Sequence, residues 1–298
     1  MHISRHINMT FPNETRAVWV EVGVWKRSDF VHQLVADPSL FLVAIEPTQS
    51  SALSSARELD LKARGRYAMV QSACTALAWP STLTFYEHPD SECNSLNLDN
   101  PVAAPVDAGK CVGGRSRSRS VPVVTLAQVL QRIPLSLQIP LLKIDIQGRE
   151  WPCLDGAGPS LRRIDNIFIE IQDLHDWGRA MYQNSHNASF LDAHLGEHGF
   201  VRQFCELNGP GGKLGRNSYV REVNCMYTQR FRDPLLASSA QGSGAALVEP
   251  WRGSKPSFHK AWFLTTLAST PEANALDTQL RALGLKLHTP NVSVMPNS

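Results

Sequence analysis

The chain has 298 residues and a nearly balanced charge, 29 lysines and arginines against 27 aspartates and glutamates, for a net +2. That balance creates no field strong enough to imply a nucleic-acid or membrane partner, and 43% hydrophobic with 19% charged residues excludes global disorder. No apolar run approaches the ~20 residues that span a bilayer.

Residues 1–15 read as a lead-in. Val18-Trp19-Val20-Glu21-Val22 is the first expected strand, closed by Gly23. Ser28 is placed to cap a helix with an apolar stripe of Phe30, Val31, Leu34 and Val35, stopped by Pro38. Phe41 to Ile45 is continuously apolar, as expected of a strand buried on both faces. A helix through Leu53, Ala56 and Leu59 ends near Gly65, and Tyr67 to Ala73 reads as a third strand. Between 79 and 120 the alternation breaks. Leu83 to Tyr86 looks like a strand in an insertion of loops or a hairpin, and the run Arg115 to Ser120 reads as solvated and mobile.

The rhythm resumes with a strand at Val121 to Val124, a short helix at Leu126 to Leu130 and a strand at Leu141 to Ile146. A helix from Arg149 to Gly156, a strand at Asn166 to Ile171 and a helix at about Ser189 to His198 follow. Phe200 to Glu206 and Val220 to Thr228 form two strands joined by the glycine-rich turn Asn208 to Gly215. Strands alternating with helices and closing on a hairpin predict an α/β fold with a mostly parallel sheet. The domain is expected over 16–230, with residues 231–298 a C-terminal extension to which the sequence assigns no role.

Six cysteines (Cys74, Cys93, Cys111, Cys153, Cys205, Cys225) show neither a C-x-x-C pair nor zinc-like spacing, which reads as a reduced chain. The N-terminus lacks the apolar stretch of a signal peptide. Sequons beginning at Asn13, Asn187 and Asn291 read as chance occurrences. A cytoplasmic location is the expectation, with the secretory pathway left open if the start is incomplete.

Chemistry concentrates at the expected carboxyl ends of the strands, where doubly wound sheets bind ligands. Gly23 lets backbone approach a cofactor, and Glu46, ending the next strand before Pro47, is placed to accept two ribose hydroxyls. Glu21, Ser72 and Ala73 complete the candidate cofactor set. Lys143 and Asp145 alternate with Leu142 and Ile144, so both charges share one face of a buried strand and must be paired or employed. Glu150 falls in the first turn of a helix, where the dipole favours an anion. Glu170 ends the neighbouring strand, and His175 follows in a loop as a candidate proton acceptor. Asp173, His175 and Asp176 lack a fixed scaffold, so no metal site is expected.

These residues carry a resemblance. Glu21-Val22-Gly23, Ala44-Ile45-Glu46-Pro47, Val123-Val124-Thr125-Leu126, Leu142-Lys143-Ile144-Asp145-Ile146-Gln147-Gly148-Arg149-Glu150, Leu154-Asp155-Gly156-Ala157 and Ile167-Phe168-Ile169-Glu170 occur in the order found in FkbM methyltransferases. The L-K-I-D-x-x-G-x-E run with its downstream L-x-G-A is the specific part. The resemblance covers residues 16–230 and implies a Rossmann-like class I methyltransferase fold with a seven-stranded sheet. It implies S-adenosylmethionine as cofactor and O-methylation of a small-molecule, sugar or lipid hydroxyl. One departure stands out: the first loop, Gly23 to Asp29, lacks the family's second glycine and carries Trp25 near the position of its asparagine. That departure motivates an alternative, a catalytically degenerate binding domain. A NAD-dependent oxidoreductase is disfavoured because no G-x-G-x-x-G follows the first strand.

Overall fold

The computed structural model describes residues 3–4, 7, 9–77, 79, 81–98, 117–172, 180, 182–207 and 223–230. The extension 231–298, the loop with Asp173, His175 and Asp176, the turn Asn208 to Gly215, and Arg115, Ser116 and Cys111 lie outside them.

The strands in chain order are β1 (Ile3–Ser4), β2 (Ala17–Val22), β3 (Leu40–Ile45), β4 (Tyr67–Val70), β5 (Ala73–Cys74), β6 (Thr82–Glu87), β7 (Arg117–Val124), β8 (Gln138–Ile144), β9 (Asn166–Ile171), β10 (Phe200–Leu207) and β11 (Val223–Gln229). The helices are α1 (Val31–Ala36), α2 (Gln49–Ala63), α3 (Leu126–Leu130), α4 (Glu150–Asp155) and α5 (Ala188–Glu197). The main sheet runs β1-β4-β3-β2-β8-β9-β11-β10. It is parallel from β1 to β9, while β11 is antiparallel to both β9 and β10. This is the expected seven-stranded sheet with its terminal hairpin, extended at one edge by the two-residue β1.

Every residue of β3 is buried, and its two faces enter different cores. Phe41, Val43 and Ile45 pack with residues of α3, α4 and α5, while Leu40, Leu42 and Ala44 pack with residues of α1 and α2. The period of two sends successive side chains to opposite faces, and a helix layer covers each. Burying one such leucine or isoleucine contributes roughly 1.5–3 kcal/mol, so this central strand anchors both layers. The strand order reverses between β2 and β8, the position where an open parallel sheet leaves a crevice at its carboxyl edge.

Two expectations change at and just before the insertion. The single strand expected over Tyr67 to Ala73 divides: β4 ends at Val70, Ser72 N–H bonds back to the Val70 carbonyl at 3.0 Å, and β5 joins a second sheet of order β5-β7-β6. The Arg-Ser run, expected to be solvated and mobile, is strand from Arg117 onward. β7 pairs antiparallel with β6, Arg119 forms an ion pair with Glu87 at 2.9 Å, and it donates to the Pro47 carbonyl at 3.3 Å. The small sheet is thereby tied to the end of β3.

The expectation of reduced cysteines is also corrected. Cys74 is bonded to Cys153 and Cys205 to Cys225, and none of the described cysteines is free. Scattered spacing hid the pairs because the partners meet only in the fold: Cys74 ends β5 and Cys153 lies in α4, 79 residues apart in sequence. Closing so long a loop restricts the unfolded chain, and removing a native disulfide of this kind costs about 2–5 kcal/mol. The double variant Cys74→Ser/Cys153→Ser is therefore expected to melt roughly 4–20 °C lower in calorimetry. A melt equal to wild type, with no further effect of reductant on the variant, would remove this bond from the fold's stabilising interactions.

Candidate functional site

A cavity of about 390 Å³ opens at the carboxyl ends of β2, β3, β5, β8 and β9, within the size range of small-molecule sites. Gly23, Trp25, Glu46, Pro47, Ser72, Ala73, Lys143, Asp145, Gln147 and Glu170 all contribute to its wall, and Ser91, Glu92 and Asn94 of the insertion face them. Gly23 has φ +84, and a Cβ added there would stand 1.7 Å from the Asp145 carbonyl oxygen. The chain crosses so closely at the top of β2 and β8 that only glycine fits.

The first loop is tied down at Trp25 despite lacking a second glycine. Trp25 holds a left-handed φ of +48, a conformation that persists only where the surroundings impose it. Its backbone N–H donates to Glu46 Oε2 at 3.1 Å, and its indole N–H donates to Ser91 Oγ at 2.9 Å. The bulky side chain therefore bridges the cofactor loop to the insertion, and it leaves the cavity open.

Glu46 is buried at 6% exposure. It accepts from Trp25 N and from Thr48 N at 2.8 Å. Burial pushes its carboxyl up to about 7, against the pull of these amide donors. Each oxygen keeps a lone pair after these bonds, and the residue lines the cavity. A carboxylate so placed can accept from paired hydroxyls.

Lys143, 7% exposed, is the electrostatic hub. Its ammonium bonds Asp29 Oδ2 at 2.5 Å and lies 3.7 Å from Asp145 Oδ2 and 3.8 Å from Glu21 Oε1. Burial opposes its charge, but Asp145, Asp29 and Glu21 override that penalty and hold it protonated. Glu21 is fully buried and stands behind the cavity wall. It accepts from Ser28 Oγ at 2.5 Å and from Asp29 N at 3.1 Å, so it shapes the loop from beneath. Burial pushes Glu21 up to about 7, with Lys143 opposing.

The turn between β8 and α4 is clamped from both sides. Glu150 folds back so that Oε1 accepts from Ile146 N at 3.2 Å and Gly148 N at 2.9 Å. It thus closes its own loop, a more specific task than the helix-dipole role expected. From the insertion, Ser95 Oγ donates to the Gln147 carbonyl at 2.6 Å and Asn97 Nδ2 to the Gly148 carbonyl at 2.8 Å. At the centre, Gln147 Nε2 donates to Asp145 Oδ1 at 3.1 Å and to Glu170 Oε2 at 2.8 Å.

The structure thus gathers Gly23, Glu46, Pro47, Ser72, Ala73, Lys143, Asp145 and Glu170 at one cavity, sets Glu21 behind it, and does not describe His175. Sequence reasoning missed Asp29, Gln147, Ser95 and Asn97. The D-x-x-G-x-E spacing is a signal for the Glu150 clamp; loop residues from a distant insertion carry none. Among the described residues no group of side chains forms a metal cluster, and no helix is long and apolar enough to cross a membrane.

Residues 22–209 match the Methyltransferase FkbM domain, more than half of the chain. The chain belongs to the FkbM methyltransferase family; its fold is that of class I methyltransferases and its cofactor is S-adenosylmethionine. None of the curated protein sequences matches it. Similar solved structures include an rRNA methylase from Streptococcus thermophilus, 8% identical with TM-score 0.37, covering 72% of this chain and 87% of that one. Another is the O-methyltransferase TomG from Streptomyces achromogenes, involved in tomaymycin synthesis, 11% identical with TM-score 0.39, covering 72% and 74%.

Proposed function

For this member of the FkbM methyltransferase family we propose methyl transfer from S-adenosylmethionine to a hydroxyl oxygen of a small polar acceptor. The observation that carries this reading is the pair of carboxylates on neighbouring strands: Asp145 follows β8, Glu170 lies in β9, and both line the cavity. The cofactor supplies an electrophilic methyl carbon on a cationic sulfur. Glu46 would hold the ribose hydroxyls, Pro47, Ser72 and Ala73 the wall beside them, and Gly23 the close backbone approach. The carboxylates orient an acceptor hydroxyl, and Glu170 or Asp145 takes its proton as the oxygen–carbon bond forms and the carbon–sulfur bond breaks. Alignment of this kind can supply up to roughly 7–11 kcal/mol.

A small acceptor is favoured over a nucleic acid by charge. Acidic residues of the cavity lining (Asp29, Glu46, Glu92, Asp145 and Glu170) outnumber the basic ones (Arg27 and Lys143), which disfavours a phosphate backbone, bound chiefly through basic side chains. The disulfides Cys74–Cys153 and Cys205–Cys225 favour work in an oxidising compartment over the cytoplasm expected from sequence.

Labelled methyl donor offered with hydroxylated sugars, lipids and RNA tests the reading: label is expected in a small hydroxylated acceptor, and label confined to RNA would overturn it. A binding measurement tests the cofactor half. Glu46→Gln is expected to weaken S-adenosylhomocysteine binding by about 1.5–3 kcal/mol at pH 8. Burial pushes the wild-type carboxyl up to about 7, and paired hydroxyl donors are held best by the ionised form, in which both oxygens accept. Affinity should therefore rise by up to about tenfold per unit as pH climbs toward 7, then level off. The Glu46→Gln variant, which has no proton to lose there, should show no such slope; calorimetry giving the same slope in the variant would take Glu46 out of the cofactor site.

A further inference from the structure

Of the residues at the cavity, Gln147 has the most unusual setting and belongs to no part of the reaction derived above. It holds φ +59 without being glycine. Strained positions of this kind survive where neighbours over-determine them, and here the neighbours are identifiable. Its carbonyl receives Ser95 Oγ, the next carbonyl receives Asn97 Nδ2, and the Glu150 carboxylate takes the N–H groups on either side of it. The effect of these clamps is to aim one side chain: the Gln147 amide nitrogen donates one bond to Asp145 and one to Glu170, while its amide oxygen accepts from Gln172 Nε2 at 3.4 Å. Gln172 is itself buried, beside Ser185 Oγ, whose one proton is shared between the Tyr182 carbonyl at 3.0 Å and Gln172 Oε1 at 3.3 Å.

We propose that Gln147 is a positioning residue that couples Asp145 and Glu170 into one acceptor-facing unit, and that the insertion sets its aim through Ser95 and Asn97. The inference rests on the reading of Asp145 and Glu170 as the groups that receive the acceptor hydroxyl. Its physical basis is simple. Two carboxylates drawn to one place repel, and one of them tends to keep a proton unless a donor lies between them. A neutral amide supplies two N–H groups and cannot itself take the proton. Its two N–H groups offset that repulsion and hold the two carboxylates at a fixed separation. Lys143 performs a comparable service at the other oxygen of Asp145, shared with Asp29 and Glu21. Glu150 of α4 lies within electrostatic range of Asp145, and Arg27 and Glu92 line the same cavity.

The test uses the full chain and Gln147→Gly, a replacement that suits the left-handed backbone and so keeps the turn, with Gln147→Asn as the conservative partner. The first readout is the titration of the Asp145 and Glu170 carboxyl carbons by NMR, which needs no acceptor. In Gln147→Gly one of the two midpoints should rise above its wild-type position by about one unit or more. Gln147→Asn should restore part of the difference. The second readout, given an acceptor, is kinetic: kcat is expected to fall at least about tenfold and the acid limb of its pH profile to move upward, while S-adenosylhomocysteine affinity stays within about twofold. Unchanged titration midpoints in Gln147→Gly would overturn the proposal, as would a kcat and pH profile equal to wild type. A loss of cofactor affinity in step with turnover would also overturn it, reducing Gln147 to a structural part of the loop. Failure of the wild-type enzyme to methylate any hydroxyl acceptor would instead refute the O-methyl reading, and the NMR titration would still decide the coupling.

Discussion

Gly23→Ala is expected to cost at least about 3 kcal/mol of stability and to abolish measurable cofactor binding. Two penalties combine. The position has φ +84, where a side chain costs about 1–2 kcal/mol. The added methyl would also stand 1.7 Å from the Asp145 carbonyl oxygen and 2.8 Å from its carbon. Those atoms are backbone and cannot swing aside, so the ends of β2 and β8 must separate. Overpacking of that kind costs about 1–3 kcal/mol or more. The separation would also pull apart Asp145 N from Val22 O, bonded now at 3.0 Å, and disturb the Gly23 N to Ile45 O bond of 2.9 Å on the other edge of β2. Gly65→Ala is the matched control: φ is +76 there, but an added Cβ meets nothing within 4 Å. Only the conformational penalty applies, so it should cost about 1–2 kcal/mol and leave binding untouched. Calorimetric melts and S-adenosylhomocysteine titrations of the two variants give the comparison. Equal behaviour would mean that the close crossing at Gly23 has no energetic consequence.

The same crossing explains how much of this molecule was legible in its sequence. Strands buried on both faces announce themselves by continuous apolar runs, so Phe41 to Ile45 and Asn166 to Ile171 were placed within a residue of β3 and β9. Helix ends with a local signal were equally readable; Thr125, for example, closes a capping box with Gln128 at the start of α3. The ends of strands β2, β3, β8 and β9 located the cavity in advance because parallel topology concentrates ligands there. What the sequence concealed depends on contacts between distant segments. The Tyr67 to Ala73 segment is uniformly strand-like, and only pairing of Ala73 with Val123 shows that it changes sheet. Arg117 to Ser120 has the composition of a solvated loop, yet the ladder with Thr84 to Glu87 makes it strand. Cys74 and Cys153 carry no mutual spacing signal. Likewise Lys143 reads from sequence as paired with Asp145 or Glu170 or employed, whereas its shortest contact is to Asp29, brought in by the fold of the first loop.

That redistribution of partners sets the last expectation, for Asp145→Asn. If Asp145 were the sole counter-ion of a buried lysine, removing its charge would cost about 3–5 kcal/mol. It is not the sole counter-ion. Lys143 keeps Asp29 as its direct partner and Glu21 at 3.8 Å. The Asp145 side chain is 28% exposed at the cavity, where an ion pair with nearby solvent contributes about 1 kcal/mol or less. The replacement is nearly isosteric, and its oxygen still accepts from Gln147. The melting temperature should therefore fall by no more than a few degrees. Turnover has no such reserve. An amide in place of the carboxylate weakens the hold on an acceptor hydroxyl and cannot take its proton, and misalignment in oriented reactions costs about 10²-fold. A loss of that size in kcat, with S-adenosylhomocysteine affinity within a few-fold of wild type, is the expected result. A variant that melts far lower but turns over normally once folded would return Asp145 to the role of structural counter-ion and leave Glu170 as the acceptor's only carboxylate.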